Sequence, residues 1–206
     1  MANYHDIRYN FAIGSGADVG TMKLIKELTA SSSATLSFVN GTSDVVFDST
    51  YRTYIFKFIN IHPATDNTNL GFQVDTGTNT SYNITCTSTF FNASHGEGDA
   101  GGGVDYEGSQ DQAQGTAFQR IIVDLGAAND KACSGELWLF SPSSSTFVKH
   151  FMSVGSSLTH ETGHVTNQYC SFTAGYFNTT TALTRVQFKF ASGNIDAGTI
   201  KLYGIA

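Results

Sequence analysis

The sequence predicts an all-β protein, an antiparallel β-sandwich of the jelly-roll kind in a single domain with an extended N-terminal arm. Apolar and polar residues alternate over many short stretches. Turn-forming residues separate these stretches at intervals of about eight to fifteen residues, and no helical pattern lasts beyond about three turns. Roughly ten short strands in one chain indicate two packed sheets.

The clearest strands lie near the C-terminus, where apolar residues occupy every second position on both sides of a glycine turn at residues 192–194. This period places one face of each strand in a core and the other face in solvent. We therefore expect the apolar residues of these two strands to be buried. They are Val186, Phe188, Phe190, Ile200 and Leu202.

The other strands follow the same rule, with two special cases. Residues 21–29 also fit about two turns of helix, but a helix this short is marginal alone, so a strand is favoured. Residues 51–61 are apolar on both faces, which is typical of a central strand covered on both sides. Further strands are expected over residues 35–39, 45–47, 70–74, 81–91, 118–125, 135–140, 146–152 and 169–177.

Residues 1–20 are expected to form the arm, and residues 21–206 the sandwich domain. Gly14, Gly16 and Gly20 separate the two parts, and they do not form a dinucleotide-binding loop because no strand–helix unit follows them. An isolated strand has no partner, so the arm is expected to dock onto a neighbouring subunit or to fold back onto its own sandwich. Its alternating apolar residues are Ile7, Tyr9, Phe11 and Ile13.

Charge and cysteine content narrow the classes of partner and compartment. The chain has 206 residues and a formal net charge of -6, which argues against binding to a nucleic-acid backbone. The N-terminus lacks the pattern of a secretory signal, and no apolar run is long enough to span a membrane. Cys86, Cys133 and Cys170 cannot form a paired framework and lie in no CxxC motif, so we expect assembly in a reducing cytoplasm.

Residues 160–164 (HETGH) match the HExxH pattern of zinc proteases. That chemistry requires a helix, because only there do the two imidazoles meet at one metal ion. The flanking residues are poor helix formers, and in an extended strand the imidazoles would lie about 13 Å apart. Asn167 and Cys170 stand where a metzincin has its glycine and its third histidine. We therefore expect neither a metal site nor catalytic residues here.

Residues 92–116 are rich in glycine and acidic residues and contain no lysine or arginine. We expect one long loop. Its carboxylates would suit a calcium ion, although the EF-hand spacing is absent. A solvated loop, a calcium site and a contact surface remain open as alternatives. The acidic residues are Glu97, Asp99, Asp105, Glu107 and Asp111.

The sequence gives no support for nucleophilic catalysis. It contains no GxSxG motif, and the serine-rich residues 141–145 are expected to form a hairpin turn. Trp138 is expected in the core or, alternatively, as a platform on which a sugar stacks. Several tyrosines leave a glycan-binding face open as a further alternative. They are Tyr51, Tyr82, Tyr106, Tyr169 and Tyr176.

Four segments together carry a family resemblance: residues 59–66 (INIHPATD), 88–91 (STFF), 141–146 (SPSSST) and 191–204 (ASGNIDAGTIKLYG). They resemble a family of largely uncharacterised virion structural proteins of tailed bacteriophages, common among marine phages. The resemblance covers most of the sandwich domain and leaves the arm outside. Its motifs are turns and strands, so they point to a lineage and not to a chemical site.

The resemblance implies a non-enzymatic structural component of a phage virion, either a tail appendage or fibre or a head decoration protein. Such a protein acts through contacts with other virion proteins after assembly in the host cytoplasm, and a homo-oligomer, favoured as a trimer, is expected. The alternative is a carbohydrate-binding module that attaches to a host-surface glycan. We expect no catalytic residues, no cofactor, no metal, no nucleic-acid partner and no membrane insertion.

Overall fold

The computed structural model describes residues 21–99, 101–160 and 166–205, and these residues form twelve β-strands and no helix. Within them, therefore, no helix could cross a membrane. The arm, and residues 161–164 of the histidine motif with residue 165 after it, lie outside the described residues. The strands are β1 Met22–Thr29, β2 Leu36–Val39, β3 Thr53–Pro63, β4 Thr68–Thr76, β5 Cys86–Gly96, β6 Gly102–Tyr106, β7 Gln119–Leu125, β8 Cys133–Phe140, β9 Lys149–Leu158, β10 Asn167–Phe177, β11 Leu183–Phe190 and β12 Ile195–Ile205.

The strands form two antiparallel sheets with jelly-roll connectivity. Strands β2-β11-β4-β7 form the smaller sheet, and β1-β12-β3-β8 form one half of an eight-stranded sheet. The strand pairs β1/β12, β2/β11, β3/β8 and β4/β7 are nested like one long hairpin that has been rolled up. This arrangement is an eight-stranded jelly roll, and a sandwich of this kind is what the sequence predicts, although with roughly ten strands.

Two insertions extend the larger sheet beyond the jelly roll. Strands β5 and β6 follow β4, strands β9 and β10 follow β8, and together they add the order β9-β10-β5-β6 to the free edge of β8. We call these four strands the sheet extension. Contacts between β7 and both β9 and β10 cover part of its inner face.

The core between the sheets is built largely from phenylalanine. The ring centroid of Phe188 lies 5.2 Å from that of Phe56, and Phe72 lies 5.0 Å from Phe151 of the sheet extension. The alternation predicted near the C-terminus is confirmed, because all five expected residues are at most 3% exposed. Strand β3 lies inside the larger sheet, as expected for residues 51–61, but only its inner face is covered throughout, because Ile59 on the outer face is 42% exposed.

The expectation of one long loop over residues 92–116 is wrong. Strand β5 continues to Gly96, and β6 pairs with it in the register Phe91↔Tyr106 to Ser94↔Gly103. Every residue of β6 is exposed. The strand therefore lacks the alternation of apolar and polar residues by which a strand is recognised in a sequence.

The remainder of that segment is held by buried glutamines. The Gln119 amide donates to the carbonyl oxygen of Gln110 at 3.0 Å and accepts from the Ser88 hydroxyl at 2.6 Å. The Gln73 amide donates to the carbonyl oxygens of Thr116 and Ala117. Since both glutamines are fully buried, the returning chain is tied to the sheet by satisfied polar groups.

Two strand predictions need further correction. Residues 45–47 form no strand: Val45 and Phe47 are buried, but Ser43 and Asp44 before them have φ values of 49° and 70°, which turn the chain sharply. The strand expected over residues 81–91 begins only at Cys86. Residues 21–29 do form a strand, β1, as favoured.

Candidate functional site

The outer face of the sheet extension, which points away from the smaller sheet, carries an exposed apolar patch. Side chains alternate between the two faces in β9 and β10. Phe151 and Phe177 pack into the core, and the residues between the inward-pointing positions lie on the outer face. The exposed fractions of the patch residues range from 40% to 70%. The outer patch comprises Phe91, Val104, Tyr106, Met152 and Phe172.

Strand register brings the patch together across four strands. Phe91 lies opposite Tyr106 on one side and Phe172 on the other. The Phe91 and Phe172 rings are stacked, with centroids 5.0 Å apart and planes 6° apart. The Tyr106 hydroxyl donates to the Asp111 carboxylate, and this hydrogen bond raises the pKa of Tyr106. The patch is therefore an ordered set of rings anchored at its edge.

Charged pairs occupy the neighbouring jelly-roll half of the same face. Lys57 donates to Glu136 at 2.9 Å, and Lys201 lies 2.9 Å from Glu27. The hydrogen bond from Lys57 lowers the pKa of Glu136, which also accepts from the Trp138 indole at 2.8 Å. On the outer face, the sheet extension therefore carries an apolar patch, and the neighbouring jelly-roll half carries charged pairs.

A second feature is a cleft of about 370 Å³ beside the turn between β8 and β9. One wall is the turn itself, residues 141–147, and the other is the segment that leads into β3. The lining residues are Ser49, Tyr51, Arg52, Ser141, Ser143, Ser144, Ser145, Thr146 and Phe147. Hydroxyl groups dominate this lining, so we call it the hydroxyl-lined cleft.

The histidine motif is only partly described, and the acidic segment brings a single histidine and a single carboxylate together. His160 lies just beyond β9, where its backbone amide donates to the carbonyl oxygen of Asp124, and Glu161 and His164 lie outside the described residues. In the former acidic loop, His95 and Asp99 are 3.6 Å apart. Across residues 21–99, 101–160 and 166–205, no three histidine, cysteine, aspartate or glutamate side chains are grouped to hold a metal ion.

The aromatic residues do not form a single glycan-binding face. Trp138 is not in the core. It is half-buried on the outer face of β8, where it lies opposite Met152 of β9 and Ile55 of β3. Tyr82 is buried and packs near Phe118. The five tyrosines proposed for this role are therefore dispersed, and only Tyr51 lines the hydroxyl-lined cleft.

All three cysteines carry free thiols, as expected from their number and spacing. Burial raises the pKa of Cys86 and of Cys133 to about 12, which keeps both thiols protonated and unreactive near neutral pH. These two residues belong to the core and not to a site.

Sequence reasoning named Tyr51 of the cleft and Tyr106 of the outer patch, but it missed most of the residues that shape the two features. Phe91 and Phe172 are far apart in the chain and meet only because β5 pairs with β10. Arg52 and Phe147 line the same cleft because β3 pairs with β8. The short motif 141–145 was visible in the sequence as a turn, and the structure confirms a turn at that point.

The fold is that of a jelly-roll β-sandwich protein whose larger sheet is extended by four strands. Compared with models of protein families, with curated proteins and with solved structures, the chain has no match.

Proposed function

We propose that the chain is a non-enzymatic structural component of a tailed-bacteriophage virion, either a tail appendage or fibre or a capsid decoration protein. The observation that carries this proposal is the outer patch. Monomeric proteins rarely expose large contiguous apolar patches, and such patches mark contact surfaces. Phe91, Tyr106 and Phe172 are also of the aromatic type enriched at the centres of protein interfaces.

The proposed partner is another virion protein or a further copy of this chain, in an assembly with three-fold symmetry. The family resemblance supports this choice. A flat row of rings is suited to a contact with a second protein, because a partner that covers it removes apolar area from water at about 25 cal/mol per Å². The free, buried thiols fit assembly in a reducing host cytoplasm.

Particle incorporation tests the proposal. Phe172→Glu places a charge in the centre of the outer patch, and Ile59→Glu is the matched control, because Ile59 is a similarly exposed apolar residue on the jelly-roll half. We expect both variants to fold and only Phe172→Glu to be depleted from purified virions. A cryo-EM reconstruction should show the outer patch covered by protein density. Equal incorporation of both variants, or a solvent-exposed patch in the particle, would contradict the proposal.

Carbohydrate binding is a second candidate function, favoured by the hydroxyl-lined cleft. This cleft lies at the loop end of the sandwich, and loops on a rigid scaffold are where binding residues commonly occur. A host-attachment role would use the cleft while the outer patch contacts the particle. The two candidate functions therefore use different surfaces of one domain.

A further inference from the structure

The turn that forms one wall of the cleft is held from inside by a buried ammonium group. Lys149 is fully buried, and its Nζ donates to the carbonyl oxygens of Ser144 at 2.7 Å, Phe147 at 2.8 Å and Thr179 at 3.3 Å. A buried charge is tolerated only when such hydrogen bonds replace its hydration. The three carbonyls therefore have a fixed donor, and the backbone of the turn is pinned.

Further hydrogen bonds fix the same turn. The Ser144 hydroxyl oxygen accepts from the backbone amides of Thr146 and Phe147. The Ser141 amide donates to the carbonyl oxygen of Arg52 at 2.6 Å, which joins the two walls of the cleft. These bonds hold the backbone of the turn, and the serine and threonine side chains other than Ser144 remain to contact a ligand. A preorganised wall reduces the entropy that binding would cost.

Apart from Ser144, the polar side chains that line the cleft take no part in hydrogen bonds within the described residues. Among the described residues, the Arg52 guanidinium has no hydrogen-bond or ion-pair partner, and Phe147 is 72% exposed. Five serine and threonine hydroxyl groups in the lining likewise have no partner in the described part of the chain. They belong to Ser49, Ser141, Ser143, Ser145 and Thr146.

We infer that the hydroxyl-lined cleft binds an acidic saccharide, a sugar that carries a carboxylate or a sulfate group. This inference rests on the second candidate function above and names its ligand class. Hydroxyl groups both donate and accept, and so match the hydroxyls of a sugar. An exposed ring such as Phe147 offers an apolar surface to a sugar ring, and Arg52 can hold an anionic group through two parallel hydrogen bonds.

The composition of the cleft argues against a protein partner and against a ligand with several negative charges. Interfaces with proteins are depleted in serine at their centres, whereas serine dominates this lining. The cleft holds one cationic side chain, Arg52, which balances a single negative charge. A volume of about 370 Å³ lies within the range of about 300–1,000 Å³ typical of small-ligand sites.

Titration of the purified full-length chain tests this inference. The probes are glucuronic acid, glucose 6-sulfate, glucose and inorganic sulfate, followed by saturation-transfer NMR and by shifts of protein resonances. We expect the two acidic sugars to bind with dissociation constants about tenfold or more below that of glucose, since a charged, bidentate contact is worth at least about that factor. Inorganic sulfate should compete weakly, because it cannot use the hydroxyls and Phe147.

Paired variants locate the site. Arg52→Gln should remove the preference for the acidic sugars and leave the weak binding of glucose, while Phe147→Ala should weaken the binding of all three sugars. Lys189→Gln and Phe172→Ala are the matched controls, because they remove a cation and a ring elsewhere on the surface. A thermal melt of each variant separates loss of binding from loss of fold.

Three results would overturn the inference. They are no saturation transfer to either acidic sugar, competition by inorganic sulfate as strong as by glucose 6-sulfate, and an equal loss of binding in Phe172→Ala and Phe147→Ala. None of them bears on incorporation into virions. Conversely, normal incorporation of Phe172→Glu would contradict the virion proposal and leave the sugar titration unaffected.

Discussion

Phe91 and Phe172 lie face to face on the paired strands β5 and β10, with ring centroids 5.0 Å apart and planes 6° apart, and each remains 40% exposed. An exposed pair of this kind contributes little to folding, because neither ring is removed from water completely. Its order comes from the sheet beneath it. The pair is thus a surface prepared by the fold, and it makes only a small contribution to the stability of the fold.

The first prediction compares this pair with the core. Phe172→Ala should lower the free energy of unfolding by about 1–1.5 kcal/mol, the size of an aromatic pair contact plus a partial loss of burial. The Phe188 ring packs against Phe56, Phe58 and Phe72 in the core. Phe188→Ala should therefore lower the free energy of unfolding by about 3–5 kcal/mol. Urea denaturation measures both values. Equal losses would mean that the outer face stabilises the fold as much as the core does.

The fold class and most strands could be predicted from the sequence because they depend on local alternation. Strands β11 and β12 are the clearest example, since each buries one face against the core. Residues 102–106 could not be recognised, because all five are exposed and two are glycines. Residues 45–47 misled for the opposite reason: Val45 and Phe47 are buried on either side of the exposed Val46, as in a strand, but they follow directly on a turn and pair with no strand.

The candidate sites could not be predicted, because they depend on strand register between distant segments. Phe91 and Phe172 become neighbours only through the pairing of β5 with β10, which a period of two does not specify. The serine-rich residues 141–145 were recognisable as a turn, but the opposite wall of the cleft comes from residues 49–52. A local motif does not reveal that partner.

The second prediction concerns the buried glutamines. Gln119→Leu keeps the approximate size of the side chain and removes the acceptor for Ser88 and the donor to the carbonyl oxygen of Gln110. Because these groups are left without partners, we expect the free energy of unfolding to fall by about 2–4 kcal/mol. Hydrogen exchange should accelerate in residues 107–117.

Gln187→Leu is the control for this substitution. Gln187 lies on β11 of the smaller sheet and donates to the hydroxyl of Ser37 at 2.9 Å, a half-buried contact that water can replace. This change should cost about 1 kcal/mol or less. If the two variants lose the same stability, the buried amide network does not fix residues 107–117.

The third prediction concerns alkaline pH. Burial raises the pKa of Cys86 and Cys133 from 9.0 to about 12, so between these values the unfolded thiols ionise while the folded thiols keep their protons. The unfolded state then binds fewer protons, and stability must fall as the pH rises through this window. The contribution of the two thiols is fully present below pH 9 and is lost towards pH 12.

The double substitution Cys86→Ala, Cys133→Ala measures this effect. Each thiol contributes a slope of up to about 1.4 kcal/mol per pH unit, so removal of both should flatten the fall in stability between pH 9.5 and 11 by up to about 2.7 kcal/mol per unit. Other titrating groups are common to both proteins and cancel in the difference. Parallel pH profiles for the two proteins would show that the thiols ionise alike in the folded and unfolded chains.

The fourth prediction concerns Lys149, the buried ammonium behind the cleft wall. Desolvation lowers the pKa of this lysine, but its three carbonyl acceptors hold the turn in one conformation. Lys149→Met fills a similar volume and leaves the carbonyls of Ser144 and Phe147 without this donor. We expect the free energy of unfolding to fall by about 2–4 kcal/mol and the turn at residues 141–148 to become susceptible to proteases.

Lys57→Met separates loss of a charge from loss of the internal hydrogen bonds. Lys57 makes a partly exposed ion pair with Glu136, whose removal should cost about 1 kcal/mol or less and should leave the turn protected. Urea denaturation and limited proteolysis followed by mass spectrometry measure both effects. If Lys149→Met unfolds no more easily than Lys57→Met and is not cleaved within the turn, the ammonium does not hold the cleft wall. The wall would then be fixed by the other hydrogen bonds of the turn, among them those to the Ser144 hydroxyl oxygen, and Ser144→Ala should loosen it.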